Sequence, residues 1–221
     1  MTPELADRRG RIAAALIEKV GSRGFRRTSV SDIAAAAGVG EEEFHRHFTD
    51  MEEAFVAVWD ELTAEHGVQM AAAYETNPEW RERMHAMASL TLDFLRVDRN
   101  RAHFLVLEVL NAGELAQAHR DLAIAAQAAL IDEGRRLLDD PDSVSPALAQ
   151  HAAGAINEML IRKTRSGELF TGDRAVRELM YIAVRPYLGH RVARRELTGR
   201  HETAREELTI PPPPEGGEEG G

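Results

Sequence analysis

TSVSDIAAAAGVGEEEFHRHF, residues 28–48, predicts two short helices on either side of a glycine turn. Thr28 or Ser29 can cap the first helix, because a side-chain oxygen at this position accepts from free backbone amides. Gly38 tolerates the left-handed conformation that often ends a helix, so the first helix is expected to stop there. One face of that helix is apolar at helical spacing and consists of Val30, Ile33, Ala34 and Ala37.

The second helix of this segment is predicted to begin after Gly40. Phe44 and Phe48 lie one helical turn apart, so both can pack against the apolar face of the first helix. Two helices joined by a tight turn that contains glycine form a helix-turn-helix, in which the second helix enters the major groove of DNA. The segment therefore predicts a DNA-binding domain.

Helical periodicity continues on both sides of the segment. A preceding helix is predicted over residues 7–20, with Gly21 and Gly24 breaking it, and a following helix is predicted to start at Asp50. Strand-like alternation is missing from the sequence, so the predicted fold class is all-α. About nine helices are expected, and the later ones are placed at residues 78–97, 99–112, 114–138, 146–165 and 173–195.

The helices divide into two predicted domains and a tail. Residues 1–50 form the helix-turn-helix domain, and residues 51–197 form a helical bundle for effector binding and dimerisation. Residues 198–221 change to proline, glycine and glutamate, a composition that does not bury enough apolar surface to offset the entropy of ordering. We expect this tail to be disordered.

Composition limits the class of protein. Hydrophobic residues make up 43% of the 221 residues, which is enough for a packed core, and the chain has no cysteine for disulfides or thiolate sites. The first residues lack the apolar core of a signal peptide, and no stretch reaches the roughly 18 apolar residues of a membrane span. The sequence therefore predicts a soluble, cytoplasmic protein.

Residues 8–58 contain a set of short motifs in a fixed order and spacing: Gly24-Phe25, Thr28-Ser29-Val30, Asp32-Ile33-Ala34, Ala37-Gly38-Val39, Phe44, Arg46-His47-Phe48 and Glu52. In these motifs the segment resembles the TetR family of transcriptional regulators. The resemblance implies an N-terminal DNA-binding domain, an effector pocket between the later helices, and a homodimer that binds a palindromic operator in double-stranded DNA.

The predicted recognition helix is unusually acidic for a DNA-binding surface. Arg46 is the only lysine or arginine among residues 31–66, which include ten acidic residues, although the segment before Val30 is basic. The family usually has Ser, Thr, Tyr and Lys where this chain has Gly40, Glu43, His45 and Met51. The candidate DNA-binding residues are Arg8, Arg26, Arg27, Ser29, Ser31, Gly40, Glu41, Glu42, Glu43, His45, Arg46 and His47.

Two functional hypotheses remain open at this point. In the first, the protein is a DNA-binding repressor that a small apolar effector releases from its operator. In the second, the TetR-like fold binds a ligand or a protein partner as a dimer and has weakened or lost DNA binding. The intact helix-turn-helix pattern favours the first hypothesis, and the charges of Glu41, Glu42 and Glu43 favour the second.

Bulky apolar residues behind the helix-turn-helix suggest the effector pocket, with a few polar residues to orient a ligand. The candidate pocket residues are Trp80, Met84, Met87, Leu90, Phe94, Phe104, Leu107, Glu108, Asn111 and Asn157, and His151 and Glu158 are further polar candidates. Apolar stripes on the last two helices suggest the dimer interface, at Leu148, Ala152, Ala155, Ile156, Met159, Leu160, Leu179, Met180, Ala183 and Tyr187.

Catalytic and metal sites have little support in the sequence. Glu42/His45 and Glu82/His85 have the spacing of di-iron ligands on helical bundles, but the first pair lies in the helix-turn-helix. Nucleophile elbows, phosphate-binding glycine loops and dinucleotide fingerprints are missing from the sequence. We therefore expect no enzymatic activity, no metal and no cofactor.

Overall fold

The computed structural model describes residues 3–170 and 174–198, and all regular structure in these ranges is helical. The predicted all-α class is confirmed, whereas the predicted tail lies outside the described residues except for Thr198. The described α-helices are α1 (Pro3–Arg23), α2 (Val30–Ala37), α3 (Glu41–His47), α4 (Met51–Thr76), α5 (Trp80–Arg96), α6 (Arg99–Val106), α7 (Glu114–Asp132), α8 (Ala147–Ser166) and α9 (Arg174–Thr198).

The ends of α2 follow directly from its sequence. Ser29 is the cap: its hydroxyl accepts from the amide of Asp32 at 3.2 Å, and the Asp32 carboxylate accepts from the amide of Ser29 at 2.9 Å. Gly38 ends α2 at a φ of 65°, where an L side chain would be strained. These two local features fix where α2 begins and where it ends.

A small apolar core holds α1, α2 and α3 together. Ile12 and Leu16 from α1, Ile33 from α2 and Phe44 from α3 are fully buried. The rings of Phe44 and Phe48 lie 5.5 Å apart, so α3 and the residue after it contribute two adjacent aromatic side chains. This packing fixes the orientation of α3 relative to α1 and α2.

Helix α1 is longer than the sequence predicted. It continues through Gly21 to Arg23, so the predicted break at Gly21 was wrong. Gly21 is needed for close packing, because a β-carbon there would collide with the backbone carbonyl of Asn100 at the start of α6. The chain leaves the helix at Gly24, whose φ is 93°.

Helices α6 and α7 are shorter than predicted. α6 ends at Val106, and a 3-10 turn over Glu108–Leu110 replaces the predicted final turns. α7 ends at Asp132 and continues as a 3-10 segment over Glu133–Leu137. Gly134 in that segment lies against Trp80 and Tyr187, where a β-carbon would come within 2.6 Å of the Trp80 ring.

The larger domain is a closed ring of five helices. α4 packs against α5 and α7, α7 packs against α8, α8 packs against α9, and α9 returns to α5. α6 packs mainly against α1 and so joins this ring to the helix-turn-helix. α9 contains Pro186 and is kinked at Gly189, whose φ is 74°. No helix in the described ranges is long and apolar enough to span a membrane.

Candidate functional sites

A partly open cavity of about 410 Å³ lies inside the five-helix ring. Its wall is mostly apolar and is contributed by α4, α5, α6, α7, α8 and α9. The polar lining residues are Thr63, His66, Thr91, Arg120, Gln127 and Asn157. A cavity of this size with an apolar wall and a few polar groups has the usual properties of a small-molecule site.

Arg120 and Asn157 form one polar region of the cavity wall. Nη2 of Arg120 donates to Oδ1 of Asn157 at 3.0 Å, and Nη1 donates to Oδ1 of Asp121, also at 3.0 Å. The Arg120 side chain is 23% exposed, whereas that of Asp121 is 72% exposed and does not line the cavity. Arg120 is therefore a cation on the cavity wall whose acidic partner lies largely in solvent.

His66 forms a second polar region, on α4. Its ring stacks on Phe94 with centroids 4.3 Å apart, and Nε2 lies 3.3 Å from the hydroxyl of Thr91. The guanidinium of Arg101 also lies over the Phe94 ring, at 4.2 Å. Burial, with a smaller contribution from the nearby Arg101 charge, lowers the pKa of His66 below its usual value. The imidazole therefore lines the cavity as a neutral group at pH 7.

Four of the ten residues predicted for the pocket line the cavity: Met84, Met87, Phe94 and Asn157. Trp80 and Phe104 do not line it. Trp80 packs edge-on against Tyr187 at the start of α5, and Phe104 packs against Phe55 towards the helix-turn-helix. The remaining residues outside the cavity wall are Leu90, Leu107, Glu108 and Asn111. His151 and Glu158 are exposed on α8.

Helix α4 contributes to the cavity wall, which was not predicted from the sequence. Trp59, Thr63, His66 and Met70 recur at intervals of four, three and four residues, so they lie on one face of the helix. This spacing could have identified them, because it continues the buried face of α4 past the helix-turn-helix core. Arg120 and Gln127, seven residues apart on α7, share a face for the same reason.

Glu108 connects the cavity wall to the helix-turn-helix. Its carboxylate accepts a 2.7 Å hydrogen bond from the backbone amide of Phe25, which begins the turn after α1. Leu105, Val106 and Val109, which belong to the same short segment as Glu108, line the cavity. This segment therefore contacts both the cavity and the turn that carries Arg26 and Arg27.

Two further contacts reinforce this connection. The indole Nε1 of Trp59 on α4 donates to the backbone carbonyl of Leu105 on α6 at 3.1 Å. The Phe55 ring lies 4.3 Å from that of Phe104 and 5.7 Å from that of Phe25, measured between centroids. The aromatic cluster thus packs α4 and α6 against the start of the same turn.

Most of the predicted DNA-binding residues are exposed on the helix-turn-helix. Arg26 and Arg27 lie in the turn between α1 and α2, and His45 and Arg46 lie on α3. Ser29 is exposed, but its hydroxyl is engaged in capping α2. The other exposed members of the predicted set are Ser31, Gly40, Glu41 and Glu42, and Arg8 and His47 are half-buried.

Glu43 is the exception, because it lies on the packed side of α3 and only 6% of its surface is exposed. Its Oε2 lies 2.5 Å from Nη1 of Arg46 and 3.3 Å from Nη1 of Arg8, and its Oε1 lies 3.3 Å from Nε2 of His47. Burial opposes ionisation, but the charges of Arg46 and Arg8 outweigh it and hold the pKa of Glu43 below its usual value. Glu43 was predicted to be one of the exposed DNA-binding residues, and its burial corrects that prediction.

The predicted dimer residues are mostly buried within one subunit. Eight of the ten are buried: Ala152, Ile156, Met159, Leu160, Leu179, Met180, Ala183 and Tyr187. Ile156, Leu160, Leu179, Met180 and Ala183 also line the cavity. These side chains face the inside of the five-helix ring, so they do not provide an exposed interface. Leu148 and Ala155 remain exposed on α8.

The two Glu/His pairs that have di-iron spacing, which had little support as metal ligands in the sequence, do not come together. Among residues 3–170 and 174–198, no group of three histidine, aspartate or glutamate side chains is placed to hold a metal ion. The Glu42/His45 pair is exposed on α3, whereas Glu82 and His85 lie on α5 of the larger domain.

A known family model matches the N-terminal part of the chain. Residues 12–58 match the model of the bacterial regulatory proteins of the tetR family. No curated protein matches the sequence.

Solved structures share the fold over most of the described chain. FadR from Bacillus subtilis, in complex with stearoyl-CoA, is 16% identical and has a TM-score of 0.68, covering 81% of this chain and 98% of its own. The fatty acid degradation regulator FadR from Bacillus halodurans is 15% identical, with a TM-score of 0.66 and coverage of 87% and 95%. A TetR family transcription regulator from Marinobacter aquaeolei is 18% identical, with a TM-score of 0.64 and coverage of 83% and 96%.

Proposed function

We propose that this protein, which has a tetR-family DNA-binding domain and the fold of TetR-like regulators, is a homodimeric repressor released from its operator by a small apolar effector. The observation that carries the proposal is the position of Glu108. Its carboxylate accepts a hydrogen bond from the Phe25 amide, while its neighbours Leu105, Val106 and Val109 line the cavity. Cavity filling and the position of the helix-turn-helix are thereby coupled through one short segment.

For DNA binding, we assign different roles to the exposed and the paired basic residues. Arg26 and Arg27 are exposed before α2, where they can contact phosphates. Arg46 and Arg8 form ion pairs with the buried Glu43, so each is oriented before DNA binds. The two guanidinium groups and the one carboxylate together have a net positive charge. This arrangement reduces the acidity that the sequence suggested for α3.

Glu41 and Glu42 remain as exposed carboxylates in the first turn of α3. They stabilise the helix by complementing its dipole, but they repel phosphates. A carboxylate in the major groove can accept from the N4 amino group of cytosine, which gives these residues a use in base recognition. We therefore expect an operator in which cytosines face the start of α3.

The effector is proposed to be mostly hydrocarbon. Met70, Met84, Met87 and Phe94 supply adaptable apolar contacts on the cavity wall. The similar fold of FadR from Bacillus subtilis binds stearoyl-CoA, a ligand with a long acyl chain. The shared fold and the apolar wall together support an effector with an extended hydrocarbon part.

The dimer is proposed to form through the solvent-facing sides of α8 and α9. Leu148 and Ala155 are exposed there, and a β-carbon added at Gly154 would meet no atom within 4 Å, so a partner helix can approach closely. A two-fold dimer can place two recognition helices about one turn of DNA apart, roughly 34 Å.

The decisive experiment is selection of bound fragments from random duplex DNA at low salt, followed by anisotropy titrations of the selected duplex. We expect a palindromic site whose affinity falls when apolar compounds are added. Glu108→Gln should weaken the response to these compounds without changing their affinity for the protein, because a neutral carboxamide is a poorer acceptor than a carboxylate for the Phe25 amide. Glu114→Gln, an exposed substitution in the first turn of α7, is the control.

Two outcomes would contradict the proposal. Failure to enrich any duplex would argue against DNA binding and favour the alternative of a dimer that binds only a ligand or partner. A selected duplex whose affinity is the same with and without every bound compound would argue against effector release.

A further inference from the structure

We propose that the effector is an amphiphilic monocarboxylate, with its carboxylate paired to Arg120 and its hydrocarbon part against the apolar wall of the cavity. This inference rests on the proposed function and assigns a chemical class to the effector. Within the part of the chain that the structure describes, Arg120 is the only lining residue with a full charge at pH 7.

The neighbours of Arg120 leave part of its guanidinium available. Asn157 accepts one hydrogen bond but carries no charge, and Asp121 is 72% exposed, so water screens its attraction. A guanidinium has five N–H donors, more than these two hydrogen bonds use. A ligand carboxylate could accept two parallel hydrogen bonds from it, which is the strongest pairing open to arginine.

The rest of the wall excludes a cationic effector. No aspartate or glutamate of the described chain lines the cavity, so a ligand cation would be buried without a counter-charge. His66 is neutral, since its burial and the nearby Arg101 oppose protonation. Thr63, Thr91 and Gln127 are neutral as well, and they can accept or donate hydrogen bonds but cannot compensate a charge.

The volume of the cavity limits the length of the hydrocarbon part. An apolar cavity of about 150 Å³ holds benzene, which corresponds to roughly 25 Å³ for each non-hydrogen atom. On this scale the cavity of about 410 Å³ has room for roughly 16 non-hydrogen atoms. A straight-chain carboxylate such as dodecanoate falls just below this limit, so it is the probe that we choose.

The first experiment compares probes on the unmodified protein by isothermal titration calorimetry. The probes are dodecanoate, 1-dodecanol, dodecyltrimethylammonium and dodecanoyl-CoA. We expect dodecanoate to bind at least about tenfold more tightly than 1-dodecanol, the gain typical of a hydrogen bond to a charged group, and the ammonium compound to bind most weakly. Equal affinities for dodecanoate and 1-dodecanol, or tighter binding of dodecanoyl-CoA than of dodecanoate, would overturn the inference.

The second experiment tests the assignment to Arg120. Arg120→Gln should lower the affinity for dodecanoate at least about tenfold and leave the affinity for 1-dodecanol within about twofold of its original value. Arg120→Lys should recover part of the lost dodecanoate affinity. Arg136→Gln is the control, because the Arg136 side chain is 80% exposed and does not line the cavity. If Arg120→Gln does not fold, judged by its thermal melt, the probe comparison on the unmodified protein decides.

The experiments distinguish a failure of the carboxylate assignment from a failure of the proposed repressor function. If 1-dodecanol binds and dodecanoate is not preferred, the carboxylate assignment is wrong while the apolar effector remains. If none of the four probes binds, the effector part of the proposed function fails and the present inference fails with it. If dodecanoate binds in the cavity but does not weaken DNA binding, only the repressor mechanism is contradicted.

Discussion

Oε2 of Glu43 lies 2.5 Å from Nη1 of Arg46, three residues later on α3. The carboxylate is buried, whereas the Arg46 side chain is 60% exposed. The pair therefore spans α3 from its packed side to its solvent side. Since Arg8 from α1 contacts the same oxygen, Glu43 also joins α3 to α1. This geometry makes Glu43 a structural residue, although it belongs to a run of three glutamates.

We first predict that Glu43→Gln destabilises the protein. The substitution keeps the shape of the side chain but leaves Arg8 and Arg46 without their counter-charge, so the melting temperature should fall by several degrees. Glu42→Gln, next to it on the exposed surface, should leave the melting temperature within about one degree. Equal melting temperatures for the two variants, measured by circular dichroism, would argue against a structural role for Glu43.

We next predict that removing the exposed charge of Glu42 strengthens non-specific DNA binding. Glu42→Thr should raise the affinity for a random duplex about fivefold at low salt, because one charge that repels phosphates is lost, and the gain should shrink as salt is added. The control is Glu75→Thr, near the far end of α4 and about 36 Å along that helix from its start. An unchanged affinity of the Glu42 variant in anisotropy titrations would show that this position lies away from DNA.

A third prediction concerns pH. Because the pKa of His66 is lowered from 6.5 on folding, the unfolded chain takes up a proton more readily than the folded protein below that pH. The contribution of His66 to the free energy of unfolding is therefore fully present above pH 6.5 and is lost as the pH falls through the lower, folded value. We expect the free energy of unfolding of the His66→Gln variant to fall less on acidification over this range than that of the unmodified protein. Urea unfolding at a series of pH values measures this difference. Parallel pH profiles for both proteins would contradict the burial argument.

The final prediction separates the outer and inner sides of α8. Ala155→Glu places a charge on the exposed side, so it should weaken dimerisation at least about tenfold with little change in the thermal melt. Ile156→Glu places an unpaired charge in the core beside the cavity, so it should unfold the subunit. Sedimentation velocity and circular dichroism distinguish these effects. A dimer of undiminished stability in the Ala155 variant would remove α8 from the proposed interface.

The helix-turn-helix was predictable because its determinants are local. The Ser29 cap, the positive φ of Gly38 and the one-turn spacing of Phe44 and Phe48 each depend on residues within a few positions. Glu43 was not predictable in the same way. Its burial depends on Arg8, thirty-five residues earlier in the chain, and three consecutive glutamates carry no sign of which one faces inward.

Periodicity identified apolar stripes in the larger domain but not the surfaces that cover them. Ile156 and Leu179 belong to such stripes, yet a stripe looks the same whether a partner subunit or another helix of the same subunit packs on it. Trp80 and Phe104 were assigned to the pocket by size alone, and their positions depend on how α5 and α6 dock. The cavity exists only between helices, so its outline requires the tertiary structure.

The contact between Gly21 and the carbonyl of Asn100 sets a condition for engineering chimaeric regulators from this protein. The crossing of α1 and α6 leaves no space for a β-carbon, so even alanine at position 21 would force the two helices apart. A DNA-binding domain transplanted onto this five-helix ring must therefore bring glycine at the equivalent position. A donor domain with a larger residue there would separate the Phe25 amide from Glu108. On the proposed function, such a hybrid would bind DNA and ligand while the two events no longer influenced each other.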